Sequence, residues 1–398
     1  MVKRIDLLNI MLFIISPFLA IPTIISGVIQ RSKTSLFLII LIFGLVSYLY
    51  IPNYSDDKAR YFEVYEDFYN SSFAEMFSFF FVSSQDFILQ SLFYFASQYG
   101  IPSQLVFAMV TMITVSIVFY IYYKIIDRFP VSKTLGLLSL ILIFFSFSYL
   151  DLLSGTRFMF AASFVLLAYY SGIVEKSKWA FLLLIVAVFI HFSTLIFIPI
   201  FILLRLFSDK DNFYKIIFIT SFIFLALPKS FVVSIFDLLG LGGALQEKGK
   251  VYLNEDDFIT QGLTDSDSTG GLIIYYFSIL TLFSLYVYLI ITHKRKNVYR
   301  NITMVVGAAI NVFYATPTIF FRYALVFKFF FAFLLIYEIY IYKNKKYIYI
   351  YIMIFLMNIL TQIIVARNNI EISFFNKESL MLITIVDKEK VTSKDFIY

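Results

Sequence analysis

The stretch Leu152–Arg205, LLSGTRFMFAASFVLLAYYSGIVEKSKWAFLLLIVAVFIHFSTLIFIPIFILLR, decides the fold. It holds two apolar runs, with Arg157 at the mouth of the first and His191 in the middle of the second. About 20 apolar residues make a helix that crosses a bilayer. An ionisable group at that depth marks a functional site by default, because placing it there costs free energy. Phe158–Ile173 reads as one crossing. Trp179–Leu204 is too long for one ordinary span and short for two, with Lys176 and Lys178 before it and Arg205, Lys210 and Lys215 after it. Basic flanks mark cytoplasmic loops. The run therefore predicts a short helical hairpin or re-entrant pair turning near His191 and Ser193, where irregular backbone must be surrounded by protein or water.

Outward from this stretch, apolar runs of similar length recur along all 398 residues, and 61% of the chain is hydrophobic against 15% charged. That balance predicts an all-α, polytopic integral membrane protein, residues 1–398 forming one transmembrane domain of roughly ten to twelve helices. The 32 basic residues, against 26 acids, lie mostly in short loops between apolar runs, which is the positive-inside pattern and argues against a nucleic-acid partner. The absence of cysteine removes disulfides, thiol nucleophiles and thiolate metal sites. Leu7–Ile29 is long and lacks a small-x-small cleavage pattern before Arg31, so it is expected to stay in the membrane, with Pro17 and Pro22 able to break it into a hairpin.

Charge alternation assigns sides. Basic turns at Arg31/Lys33, Lys124–Lys133, Lys176/Lys178, His293–Arg300 and Lys343–Lys346 read as cytoplasmic. Two long segments then fall on the other side. Residues 52–86 carry seven acids and a helical spacing of Tyr61, Tyr65, Phe68 and Tyr69, which predicts an amphipathic helix on the membrane surface. Residues 237–271 form a second acidic, glycine-containing loop, longer than loops usually are. The polar tail, residues 367–398, balances five basic and five acidic residues, so parity alone assigns its side.

With these sides, Lys58, Arg60, Arg157 and Arg322, with Lys328 and Arg367, fall at or near the extracytoplasmic face, against the charge rule; Arg60, Arg157 and Arg322 are the ones that could share a ligand. Their convergence would suit a pyrophosphate, which a guanidinium fork matches bidentately; the alternative is that each pairs with a nearby acid or snorkels to lipid headgroups. Arg157 lies in SGTRFMFAA, where small residues admit close approach by a helix or ligand. His191 could do acid-base work if it faced water, or be a hydrogen-bonded packing residue. Asp56 and Asp57 could hold a general base for a sugar hydroxyl, or cap the helix that follows. No metal site is expected: the only other histidine, His293, lies on the opposite side by charge. Gly-rich phosphate loops, zinc-helix motifs and G-x-S-x-G are missing from the sequence.

Four segments, SDDKARYFEVY, SGTRFMFAASFVLLAYY, FIHFSTLIFIPIF and FFRYALVFKFFF, give the chain, by order and spacing, a resemblance to the EpsG/Wzy group of polysaccharide repeat-unit polymerases. The resemblance implies a GT-C-like membrane fold in the bacterial inner membrane and a site facing the periplasm. It implies an undecaprenyl-pyrophosphate-linked oligosaccharide as substrate, released from its pyrophosphate and joined to a hydroxyl of the next lipid-linked unit to make O-antigen, capsule or exopolysaccharide. Arg157, Arg322 and His191 match the family's two arginines and mid-helix histidine, and Asp56 or Asp57 its early acid. Arg60 would join the pyrophosphate site, and Tyr54, Tyr61 and Tyr252 would stack on sugar. No cofactor is implied; membrane lipid, a chain-length regulator and a flippase are the implied partners. Two other functions stay open: a lipid-linked oligosaccharide flippase, which usually shows internal halves not seen here, and an O-antigen ligase, which shares the donor and differs in acceptor.

Overall fold

A computed structural model describes residues 4–54, 56–83, 87–207, 210–231, 234, 269–343, 345–375, 381–386 and 391–397. Among these residues the chain is helical, with one isolated bridge between Asn53 and Ile397. In order, α1 (Arg4–Ile15), α2 (Ile21–Ile29) and α3 (Lys33–Leu49) lead to α4 (Asp57–Asp67), α5 (Phe73–Ser83) and α6 (Phe87–Gln98). Next come α7 (Ser103–Ile126), α8 (Lys133–Ser146), α9 (Tyr149–Leu153), α10 (Thr156–Tyr169), α11 (Ala180–Ile190), α12 (Phe197–Leu206) and α13 (Asp211–Thr220). Beyond the second acidic loop follow α14 (Thr269–Ile291), α15 (Val298–Val312), α16 (Pro317–Tyr342), α17 (Lys345–Val365), α18 (Arg367–Phe374) and α19 (Leu382–Val386).

Among the described residues four helices are long and apolar enough to cross a membrane alone: α7, α10 with its π-helical extension to Val174, α16 and α17. Six further apolar helical stretches of 10–17 residues are described, among them α3, α8, α11 and Tyr275–Ile291 within α14. Ser132 and Asn297 cap α8 and α15 by accepting from backbone N–H groups, which fixes where those helices begin.

The first run is a hairpin. Its helices part at Ser16–Ala20 around Pro17, and Pro22 sits in the first turn of α2, where its missing N–H costs nothing. Ser32 donates to Asp6, and Asn9 donates to Ser35 at 2.9 Å, so α1 begins beside the start of α3. The second run, α11–α12, is likewise a hairpin. His191 leaves the helix in an extended conformation (φ −151°), a short 3-10 segment follows, and Arg205 at the far end donates to the carbonyls of Gly172 and Ser177, both at 3.1 Å. Those carbonyls precede α11, so the run ends where it began. Gly172 permits this closure: a Cβ there would fall inside the Phe201 ring of α12.

Contacts sort the loops into two ends. At the basic end, Arg31 donates to the carbonyls of Ile126 (2.6 Å) and Phe129 (2.8 Å), Lys124 pairs with Glu175 at 3.5 Å, and Phe129 stacks on Tyr340. There Glu338, 1% exposed, accepts from Arg300 (2.7 Å), Arg295 (2.6 Å), Tyr288 (2.6 Å) and Asn297 (3.1 Å), tying α14, α15 and α16 together. At the opposite end, the Ile51 N–H donates to Ser373 (2.9 Å), Asn369 donates to the Ile51 carbonyl (3.2 Å), and Gln362 accepts from the Tyr149 N–H (2.8 Å). The tail, whose side rested on parity, thus lies at the end away from the basic loops.

The expectation of a surface helix over Lys58–Tyr69 needs correction. The helix forms, but Ala59, Tyr61, Phe62, Tyr65 and Phe68 are buried in a second, smaller core with Phe93 and Phe107 of α6 and α7. Its apolar face meets protein rather than lipid, because two short helices, α5 and α6, fold within what the sequence presents as loop and its margin. The second acidic loop, with Tyr252, lies outside the described residues except for Thr269–Gly271, which open α14.

Candidate functional site

The tip of the α11–α12 hairpin is the centre of the opposite end. The Phe158 ring of α10 meets the His191 ring edge-on at 5.4 Å, and Tyr323 of α16 donates to the Ser193 carbonyl at 2.7 Å. Phe197 packs on Tyr323 at 5.4 Å. Phe158 and Tyr323 are the neighbours in sequence of Arg157 and Arg322. The tip therefore seats between the stretches of α10 and α16 that carry these arginines, Arg157 in the first turn of α10, where the helix dipole also favours anions, and Arg322 in the second turn of α16.

Arg157 lies over the Tyr61 ring at 5.5 Å. Tyr61 is buried, stacking on Phe93 at 6.0 Å and tilting against Phe107 at 6.4 Å. This corrects its expected role: the ring holds the arginine and offers no broad face to a sugar. Tyr54 is exposed, in the loop before α4, and its N–H donates to the Ile397 carbonyl at 2.9 Å.

The two aspartates part company. Asp56 accepts from the Asn53 N–H (2.9 Å) and the Tyr50 hydroxyl (3.2 Å), so its carboxylate closes the loop before α4 instead of capping the helix. Asp57 stands in the first turn of α4 and pairs with Arg60, which is mostly exposed. Asp57 and Tyr61 are four residues apart and so share a helix face. Between them, Lys58 is fully buried and donates to the carbonyls of Ser47 (2.8 Å) and Tyr50 (3.1 Å) at the end of α3, with its ammonium over the Phe107 ring at 4.9 Å. Burial lowers its pKa to about 7, against the charge of Asp56, which raises it.

His191 is also revised. Its Nδ1 accepts from the Ser193 backbone N–H at 3.2 Å and lies 2.8 Å from the Ser193 hydroxyl. A backbone N–H can only donate, so in the neutral ring the proton is on Nε2. His191 is then a hydrogen-bond donor at Nε2 rather than a proton acceptor, and it also caps the 3-10 segment behind it.

Beside Arg322 lies a polar group of which the charge pattern had marked only Lys328. Burial pushes the Asp151 carboxyl up, against Ser148 and the charges of Lys328 and Arg322, which lower it. Lys328 donates to Asn358 at 3.1 Å, and Gln362 donates to the same oxygen at 3.0 Å. Asp151 precedes Arg157 by six residues in the turn between crossings, and that position was the available signal. Asn358 and Gln362 had none, since isolated amides in an apolar run leave their partner unstated.

Among the described residues no group of three or more His, Asp or Glu side chains could hold a metal ion. The arrangement is suited to binding an anion with arginines and to donating hydrogen bonds. A family model described as the EpsG family matches residues 33–377, nearly the whole chain. No curated protein and no solved structure matches it.

Proposed function

Because the chain belongs to the EpsG family of polysaccharide polymerase-like membrane proteins, we propose that it joins undecaprenyl-pyrophosphate-linked oligosaccharide units into a polysaccharide at the periplasmic face of the bacterial inner membrane. The observation that carries this reading is the hairpin tip seated between the helix segments bearing Arg157 and Arg322. Attack by an acceptor hydroxyl on the anomeric carbon forms the new glycosidic bond and breaks the bond to the lipid pyrophosphate. Negative charge then grows on the departing pyrophosphate. Arginines already oriented at that point stabilise it without reorganising, which is worth most in a water-poor site.

Arg157, oriented by Tyr61, and Arg322 bind the pyrophosphate, and the Nε2–H of His191 donates to the same anion or to the bridging oxygen. Asp57, on the face of α4 that leads to Tyr61 and paired with Arg60, takes the hydroxyl proton. Tyr54 and Tyr252 remain the proposed sugar contacts.

The test is a glycan ladder. Cells lacking the gene are complemented with wild type or Arg157→Ala, and surface polysaccharide is resolved on a gel alongside an immunoblot of the membrane fraction. A ladder restored by wild type and reduced to a single repeat by the variant, at equal protein abundance, is the expected result. A bare core in the deletion points instead to a flippase or ligase, and an unchanged ladder overturns the reading.

A further inference from the structure

The segment 391–397 packs on α4, the helix whose Tyr61 ring lies under Arg157. Its Ile397 N–H donates to the Pro52 carbonyl at 3.2 Å, its Ile397 carbonyl accepts from Tyr54, and it pairs with Asn53 in a short parallel bridge. The Val391 N–H donates to Gln104 of α7 at 3.1 Å. Thr392 and Asp395 close a capping box, which folds the segment so that Phe396 points inward. Phe396 is 4% exposed and meets Phe62 edge-on at 5.5 Å. From there a line of rings runs to the arginine: Phe62 to Phe107 at 5.3 Å, Phe107 to Tyr61 at 6.4 Å, and Tyr61 to Arg157 at 5.5 Å.

Helix α4 has 11 residues, too few to be stable by itself, so its place is set by what packs on it. Lys58 fixes its start to the end of α3, and α6 and α7 support one side. The segment 391–397 closes the remaining side and the loop that leads in. We propose that this segment is a positioning strap for the arginine site, with Phe396 acting through Phe62, Phe107 and Tyr61 to set the Arg157 guanidinium. The strap shares the face of the membrane on which Arg157 opens. Its effect on turnover rests on the polymerase reading; its placement does not.

Placement is tested with single cysteines in this cysteine-free chain. Lys394→Cys on the strap, Glu66→Cys on α4 and Lys178→Cys at the basic end all replace exposed residues and are probed with a membrane-impermeant maleimide on spheroplasts. Lys394→Cys and Glu66→Cys are expected to label alike and Lys178→Cys oppositely; labelling of Lys394→Cys with Lys178→Cys overturns the strap. Whether the first pair labels from outside tests the periplasmic site separately.

Turnover is tested in the complemented strain, once wild type has restored the ladder. Phe396→Ala is expected to cut chain extension about tenfold at unchanged abundance, as a small displacement of a reacting group does. Phe396→Leu, which keeps most of the volume, restores most of it. Asp395→Ala, at an exposed position, lowers extension in the same direction and decides the matter if Phe396→Ala reduces the amount of protein. Wild-type ladders from both variants overturn the strap. Should wild type fail to restore a ladder, the polymerase reading falls, and labelling alone judges the strap's placement.

Discussion

Two arginines, one at each end of the molecule, are held in opposite ways. Arg300 at the basic end is 2% exposed and donates to Glu338, whose carboxylate also receives Arg295, Tyr288 and Asn297. Arg157 at the opposite end rests on the ring of Tyr61. A carboxylate neutralises the guanidinium it holds, whereas a ring orients a guanidinium by its face. The first arrangement is closed and makes structure. The second sets a guanidinium against a ring, and in the function proposed above this is the arginine that meets the pyrophosphate.

This contrast can be broken most severely at Glu338. Glu338→Ala leaves Arg300 buried without its carboxylate, and a loss of about 3–5 kcal/mol is expected, read as loss of folded protein in membranes and a lower melting temperature in detergent. Arg157→Ala should do the reverse, leaving abundance intact while chain extension falls by about 10²–10³. Arg157→Lys is not expected to rescue it, since an ammonium cannot bind a phosphate as a planar fork. A smaller effect falls on the platform. Tyr61→Leu removes the ring and should cost about 0.5–2 kcal/mol of orientation, seen as a several-fold slower extension, whereas Tyr61→Phe keeps most of it.

The mildest signal is in the pH dependence of stability. The Lys58 pKa is about 7 in the folded protein and near its ordinary value of 10.5 when unfolded. Between those values the unfolded chain binds the extra proton, so stability should rise with pH from about 7 towards 10.5. Lys58→Met should flatten that slope, measured as melting temperature in detergent across the window.

The hairpin was legible in the sequence because its length and its two basic flanks are incompatible with one crossing or two. Arg157 and Arg322 were legible because they break a charge rule that most basic residues of the chain obey. Other features were not, for physical reasons. Helical spacing of Tyr61, Tyr65 and Phe68 announces an apolar face, yet the same spacing serves lipid or protein, and the covering helices α5 and α6 are too short to stand out. The tautomer of His191 depends on the N–H of Ser193, which points at its ring only once the helix has broken there. Asp56 and Asp57 are adjacent in sequence, but one faces the loop and the other the helix.

The strap also sets an order of assembly. Ile51 and Ser373, which clasp one edge of this region, are 322 residues apart in the chain, and Asn53 and Ile397 are farther still. At synthesis rates of about 5–20 residues per second that interval is roughly 15–70 s. The large core can form as its helices emerge, whereas the small core beneath Arg157 is completed only after Phe396 has been made. A chain stalled short of that point would lack the small core, so the end that bears Arg157 is completed last.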